Sequence, residues 1–341
     1  MKHVVTLIPG DGIGPEVTAA AVEVVEATGV EVEWDVQKAG IDAIESGDDP
    51  LPAALLESVR RTGVALKGPL TTPVGKGFRS VNVALRQKLD LFANVRPARS
   101  LPGIKTPFDN VDLTLFRENT EGLYSGIESF DERLQIADAT ARITRAGSER
   151  IVRFCFNYAR EHGHQRVTLV HKANILKITS GLFLEVGQKI AEEYPDIEFE
   201  DRIVDNMCMQ LVMYPERYDC IVTTNLFGDI LSDLAAGLVG GLGMVAGTNI
   251  GDGHAVFEAV HGSAPDIAGR NAANPTALLQ ASELMLHHIG EPAAAAAVGQ
   301  ALIDTFKEGK FLTKDIGGTA STSEFSARVA EKAADQAASV T

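Results

Sequence analysis

The 341-residue chain carries 46 acidic and 31 basic side chains, a formal net charge of −15, with 45% hydrophobic and 23% charged residues. This ordinary globular composition excludes a collagen-like, disordered or disulfide-built protein, and the negative field disfavours nucleic acid and anionic membrane as partners, so an anionic ligand needs local arginines. The three cysteines, Cys155, Cys208 and Cys220, form no CxxC pair, which argues against a thiolate zinc site and for the reducing cytoplasm.

At about 100 to 200 residues per domain, this length predicts two lobes. Pro9 and Asp11 interrupt the first apolar run, so no secretion signal is expected. Residues 3–8, HVVTLI, predict a strand, PGDGIGP a turn, and Val17, Ala20, Ala21, Val24 and Val25 a helix over residues 16–28. Further strands are predicted at VEVEWDV, GVALKG, VDLTLF, RVTLVH and YDCIVTTN, with an amphipathic helix over residues 149–161. Such alternation predicts an α/β protein with a largely parallel core. The uncharged stretch 234–251 carries six glycines and reads as a packed helix end and a glycine-rich loop rather than a membrane span. Alanine-rich residues 292–301 predict a helix, and the final DQAASVT is expected to fray.

Four features bear on chemistry. Gly10-Asp11-Gly12-Ile13-Gly14 begins like a dinucleotide fingerprint, but Pro15 and Glu16 break the GxGxxG spacing and an acid opposes a pyrophosphate, so a structural turn is expected. Arg86, Arg96 and Arg117, with Ser80 and Asn82 close by in sequence, suit a di- or tricarboxylate, because guanidinium forks pair with carboxylates bidentately; surface salt bridging is the alternative. Asp229 and Asp233 are four apart and share a helix face opposite Ile230, Leu231, Leu234 and Leu238. With Asp205 they suit a hard divalent cation, Mg²⁺ or Mn²⁺, although acids favoured at a helix start would give the same pair. Tyr124 and Lys172 stand at predicted strand ends, where α/β proteins place reactive groups.

The motifs IPGDGIGPE, KGPLTTP, RENTEGLYSG, HKAN, NLFGDILSDLAAGLVGGLG, EAVHGSAPDIAG and IGGTASTSEF occur in that order. Together they resemble the β-decarboxylating dehydrogenases of isocitrate, isopropylmalate and homoisocitrate over nearly the whole chain. The resemblance implies an isopropylmalate-dehydrogenase-like two-domain α/β fold, not a Rossmann fold. Its large domain would comprise residues 1–98 and 250–341, its small domain residues 99–249, and the active site would lie in the cleft between them. The small domain would also build a homodimer interface. Arg86, Arg96 and Arg117 would then hold substrate carboxylates, and Asp229 and Asp233 would bind Mg²⁺ or Mn²⁺ together with Asp205 of the other subunit. Lys172, also crossing over, and Tyr124 would form the acid/base pair.

Ser80 and Asn82 stand where an isopropylmalate pocket would be apolar, so the implied substrate carries a γ-carboxylate, as the small tricarboxylate isocitrate does, with homoisocitrate as the alternative. Asp266 and Ile267 replace the lysine and tyrosine of NADP-dependent relatives, which implies NAD. His261, Gly262, Ala264 and Asn274 would line the adenosine half, with Thr71, Thr72, Asn174 and Glu258 nearer the nicotinamide. The implied reaction is oxidative decarboxylation to 2-oxoglutarate and CO₂. A non-catalytic regulatory subunit and a citrate-like anion-binding module are the readings from other classes.

Overall fold

A computed structural model describes residues 2–72 and 80–340; Pro73, the last residue of the KGPLTTP motif, lies outside them. The chain begins with β1 (His3–Ile8), α1 (Gly14–Ala27), β2 (Val32–Val36), α2 (Ile41–Glu45), α3 (Ala53–Thr62) and β3 (Val64–Lys67). There follow α4 (Val81–Lys88), β4 (Ala93–Arg99), β5 (Asp112–Glu118) and the hairpin of β6 (Gly122–Asp131) and β7 (Ile136–Arg142). The middle continues with α5 (Arg145–Glu161), β8 (Arg166–His171), α6 (Thr179–Ala191), β9 (Glu198–Ile203), α7 (Val204–Met213), β10 (Cys220–Thr223) and α8 (Asn225–Leu238). It closes with β11 (Ala246–Gly251), β12 (His254–Ala259), α9 (Thr276–His288), α10 (Pro292–Glu308) and α11 (Thr322–Val340).

One sheet of ten strands runs in the order β2-β1-β3-β12-β11-β4-β5-β10-β8-β9. Six of its pairings are parallel, as alternation predicts, and the three around β11 and β4 are antiparallel. The reversal comes from Asp252-Gly253, a two-residue turn with Gly253 at φ +78° that joins β11 to β12; so short a connection permits only antiparallel neighbours.

Apolar side chains separate by sequence. Those around β1, β3, α1, α9, α10 and α11 come from residues 5–91 and 244–333, whereas those around β5, β8, β10, α5 and α7 come from residues 93–245. Each fully buried Val, Leu, Ile or Phe contributes about 1.5–3 kcal/mol, and the predicted core face of α1 is buried.

Several expectations need correction. The first helix starts at Gly14 because Pro15 is preorganised in its first turn. The helix predicted from residue 149 starts at Arg145, capped by Thr144, whose hydroxyl accepts the Gly147 N–H at 3.0 Å. The end of the expected glycine-rich loop, Ala246–Gly251, is a central strand, where Gly251 lets the Asp90 carbonyl approach. Residues 335–340 of the DQAASVT stretch continue α11 to Val340, and Thr341 lies outside the described residues. No helix among the described residues is long and apolar enough to cross a membrane.

The first glycine loop is the structural turn expected. Asp11 is buried and its carboxylate accepts N–H groups from Ile41 (2.9 Å) and Thr71 (2.7 Å). Gly12 has φ +60°, and a Cβ there would sit 2.0 Å from the Ser263 carbonyl oxygen. Gly12→Ala adds left-handed strain to overpacking, so urea unfolding is expected to show a loss of at least about 2 kcal/mol; an unchanged midpoint would contradict this packing.

Candidate active site

Ser80 caps α4, accepting the Val83 N–H at 3.4 Å, and Asn82 and Arg86, four apart, share one face of that helix. Arg96 lies on β4 opposite Leu115 of β5, and Arg117 lies two residues further along β5, so both arginines emerge on the same side of the sheet. Arg86, Arg96 and Arg117 are 8%, 8% and 1% exposed, which rejects surface salt bridging. Arg86 donates to Glu258 at 2.9 Å, Arg117 to Asn225 at 2.8 Å and to Asp229, and Arg96 to Ser232 and, at 3.4 Å, to Asp233. Burial, Arg117 and Arg86 push Arg96 down to about 10. Its Nε and the Asn82 Oδ1 are buried without a partner among the described residues.

Asp229 is the fifth residue of α8, beyond its first turn, so acids placed for the helix dipole do not explain it. Its carboxylate accepts from Arg117 and, at 2.8 Å, from the Tyr124 hydroxyl. Against the upward push of burial, Arg117 and Tyr124 hold Asp229 below its ordinary value, while burial and then Asp229 push Asp233 up despite Arg96. Ile230, expected on the apolar face, is instead exposed, whereas Leu231 and Leu238 are buried. Tyr124, on β6, has its ring 5.0 Å from the Arg117 guanidinium carbon. Burial and the bond to Asp229 raise its phenol.

Lys172 follows β8 and Asp205 lies in the first turn of α7; they bond to each other, which holds Asp205 below the usual carboxylate range. Neither makes a hydrogen bond to the arginine cluster among the described residues, and no three His, Cys, Asp or Glu side chains there gather as a metal site. One chain therefore brings Asp229 and Asp233 together and leaves Asp205 with Lys172. Asp229 and Asp233 nonetheless fit a divalent cation: they are hard oxygen donors, their mutual repulsion would be relieved, and Mg²⁺ commonly takes only one or two carboxylates beside substrate oxygens.

The loops expected to hold the cofactor are stitched together. Thr71 Oγ1 lies 2.7 Å from Ser263 Oγ, the Ile13 N–H donates to the Ser263 carbonyl at 2.9 Å, and Thr72 donates to Ser80 at 3.2 Å. His261 Nδ1 is 3.0 Å from the Gly262 carbonyl, while its Nε2 is buried and unpartnered among the described residues and burial lowers its pKa. Gly262 and Asp266 are exposed, Ala264 has φ +37° and Ile267 packs on the core beneath. This open rim with one orphaned ring nitrogen fits a nucleotide.

Other residues are already engaged. Asn274 accepts from the Thr276 N–H and hydroxyl and donates to Asp315 at 2.9 Å, so its amide anchors the start of α9. Glu258 receives Lys67 at 2.8 Å, Arg86 and, at 2.8 Å, Asn249; Lys67 and Arg86 hold it far below the usual range despite burial. Asn174 is exposed in the turn after Lys172. Lys67, Ser232, Asn249 and Ser263 were missed. Lys67 at a strand end before Gly68-Pro69 is the one signal that could have drawn notice.

Residues 4–329 match the isocitrate/isopropylmalate dehydrogenase family model. The chain belongs to that family. It is 50% identical to isocitrate dehydrogenase (NAD) catalytic subunit 5, mitochondrial, of Arabidopsis thaliana, over 96% of this chain and 87% of that one. It is 49% identical to chloroplastic 3-isopropylmalate dehydrogenase of Solanum tuberosum, over 89% and 85%. The crystal structure of isocitrate dehydrogenase from Methylococcus capsulatus superimposes with a TM-score of 0.95 at 57% identity, covering 97% of this chain and 99% of that one.

Gly228, in the NLFGD segment of this dehydrogenase, leaves room for Arg117: a Cβ there would lie 2.5 Å from Arg117 Cγ and 2.6 Å from its Cβ. Gly228→Ala is expected to cost about 1–3 kcal/mol of stability by overpacking and to weaken isocitrate binding roughly tenfold, about 1.4 kcal/mol. Calorimetric titration showing unchanged affinity would contradict this placement of Arg117.

Proposed function

We propose that the chain is a catalytic NAD-dependent isocitrate dehydrogenase, converting isocitrate to 2-oxoglutarate and CO₂ with Mg²⁺ or Mn²⁺. The observation that carries this reading is the buried arginine cluster facing two carboxylates and a tyrosine. Lys67, Arg86, Arg96 and Arg117 supply four positive charges, and Glu258, Asp229 and Asp233 supply three negative ones. The surplus of one, with a divalent cation added, is balanced by a tricarboxylate trianion, whereas a dicarboxylate leaves one positive charge of the arginine cluster uncompensated. Asn82 Oδ1, lacking a partner among the described residues, adds a polar group that an isopropyl substituent cannot satisfy. Homoisocitrate carries the same charge and differs by one methylene, worth only about 1–3 kcal/mol.

Arg86, Arg96 and Arg117 bind and orient the substrate carboxylates. Asp229 and Asp233, together with Asp205 of the partner subunit, would hold a divalent cation that would supply a Lewis acid, and bound NAD would supply a hydride acceptor. Lys172 Nζ, as the free amine rather than the ammonium that pairs with Asp205, receives the proton of the C2 hydroxyl. Tyr124, its phenol raised by burial and Asp229, keeps its proton through neutral pH and donates it from Oη to the carbon that loses CO₂. His261, Asp266 and Ile267 receive the adenosine half, the exposed Asp266 carboxylate favouring a ribose hydroxyl over a phosphate. Gly262, Ala264 and Asn274 border that half, with Thr71, Thr72, Asn174 and Glu258 toward the nicotinamide.

The separation of apolar clusters supports domains of residues 1–98 with 250–341 and 99–249. A homodimer is supported by apolar residues left open beside the shared groups: Ile175 and Ile178 after Lys172, Val212 and Met213 on the helix of Asp205, and Ile230 next to Asp229. In that dimer Lys172 and Asp205 complete the partner's site. Three unpaired cysteines support a reducing compartment, the cytoplasm in our reading.

Absorbance of reduced nicotinamide tests the reaction, with isocitrate, homoisocitrate and isopropylmalate each offered with NAD or NADP, and with Mg²⁺ or chelator. Fast turnover is expected with isocitrate, NAD and Mg²⁺; turnover with none would leave a regulatory subunit. Sharing of sites is tested by co-expressing Lys172→Met and Asp229→Asn chains, each left with only residual activity alone. Mixed dimers keep one intact site and recover activity, whereas sites built within one chain stay dead.

A further inference from the structure

Lys172 carries a long, freely rotating side chain, so its aim depends on how firmly its backbone is held. The residue before it, His171, ends β8 and is buried. His171 Nδ1 lies 2.9 Å from the Ala173 N–H and accepts it, and Nε2 lies 2.9 Å from Asp201 Oδ2. A ring nitrogen that accepts a backbone N–H carries no proton, so the hydrogen sits on Nε2 and is donated to Asp201. The Lys172 N–H donates to Ser180 Oγ at 3.2 Å, and its carbonyl accepts from the Ile175 and Leu176 N–H groups at 3.1 and 2.9 Å. Backbone groups on both sides of the Lys172 Cα are therefore tied to β8, β9 and α6.

Asp201 lies on β9, which runs into α7 and so to Asp205, the partner of the Lys172 ammonium. The His171–Asp201 bond thus closes a ring: His171 to Asp201, along β9 to Asp205, across to Lys172 and back. We propose that His171 is a positioning residue that makes Lys172 and Asp205 one rigid unit, delivered together to the active site. This rests on the proposed catalytic role of Lys172. Histidine suits the position because it accepts at one end and donates at the other; asparagine mimics the first function and glutamine the second.

The test compares His171→Asn and His171→Gln enzymes by steady-state kinetics, melting temperature and amide hydrogen exchange of residues 172–176. Because a misplacement near 1 Å can cost about 10²-fold, His171→Gln, which frees the Ala173 N–H, is expected to lose kcat on that order with KM for isocitrate and NAD little changed. His171→Asn, which keeps the acceptor, is expected to recover most of kcat. In a Lys172→Met background His171→Gln should cost nothing further, since a positioning residue acts only through what it positions. Equal losses in both variants, a loss in KM rather than kcat, or an additive loss in the Lys172→Met background would overturn the proposal. If the wild-type protein turns over no substrate, the catalytic reading falls, and exchange still decides the clamp: faster in His171→Gln alone upholds it, and no difference removes it.

Discussion

Three guanidinium groups buried where α4, β4 and β5 meet cannot remain without anions, and much of the surrounding architecture answers to that constraint. Removing charge from water costs several kcal/mol per ion unless it is paired and hydrogen-bonded. The chain meets this demand from distant segments: Glu258 from β12, and Asp229 and Asp233 from α8. Burial and like-charge repulsion still push Arg96 down to about 10. The site is preorganised for an anion rather than neutralised by the fold.

The antiparallel centre of the sheet makes this meeting possible. It lays β12 and β11 beside β4 and β5, so Glu258 reaches Arg86 and is held by Asn249, while α8 carries its aspartates to Arg96 and Arg117. Gly228 opens the space that Arg117 fills. Lys172 and Asp205 stay outside this cluster, bonded to each other, as groups serving a partner's site would be. Their pairing keeps both charges satisfied.

Much of this was legible in residue order. HVVTLI and RVTLVH coincide with strands, because β-branched runs bounded by turn residues leave little choice. The arginines and aspartates stood out as charged residues with functional spacing, and the motif resemblance supplied their roles. Less legible were features decided by tertiary contact. The Asp252-Gly253 turn carried a hairpin signal, but the glycines flanking it masked β11. Asn249 is ordinary in sequence and, with Lys67, becomes significant only when Glu258 is buried between them. The exposure of Ile230 contradicts a simple helical wheel.

The central claim is that one surplus buried positive charge, together with a divalent cation, matches a tricarboxylate. Thermal unfolding with Mg²⁺ and without NAD measures this directly, because a ligand bound only by the folded state stabilises it by about 2.7 kcal/mol at a hundred times its Kd. Isocitrate is predicted to raise the melting temperature by several degrees at a concentration where isopropylmalate leaves it nearly unchanged. Equal shifts from the two anions, or none from isocitrate, would contradict the charge match.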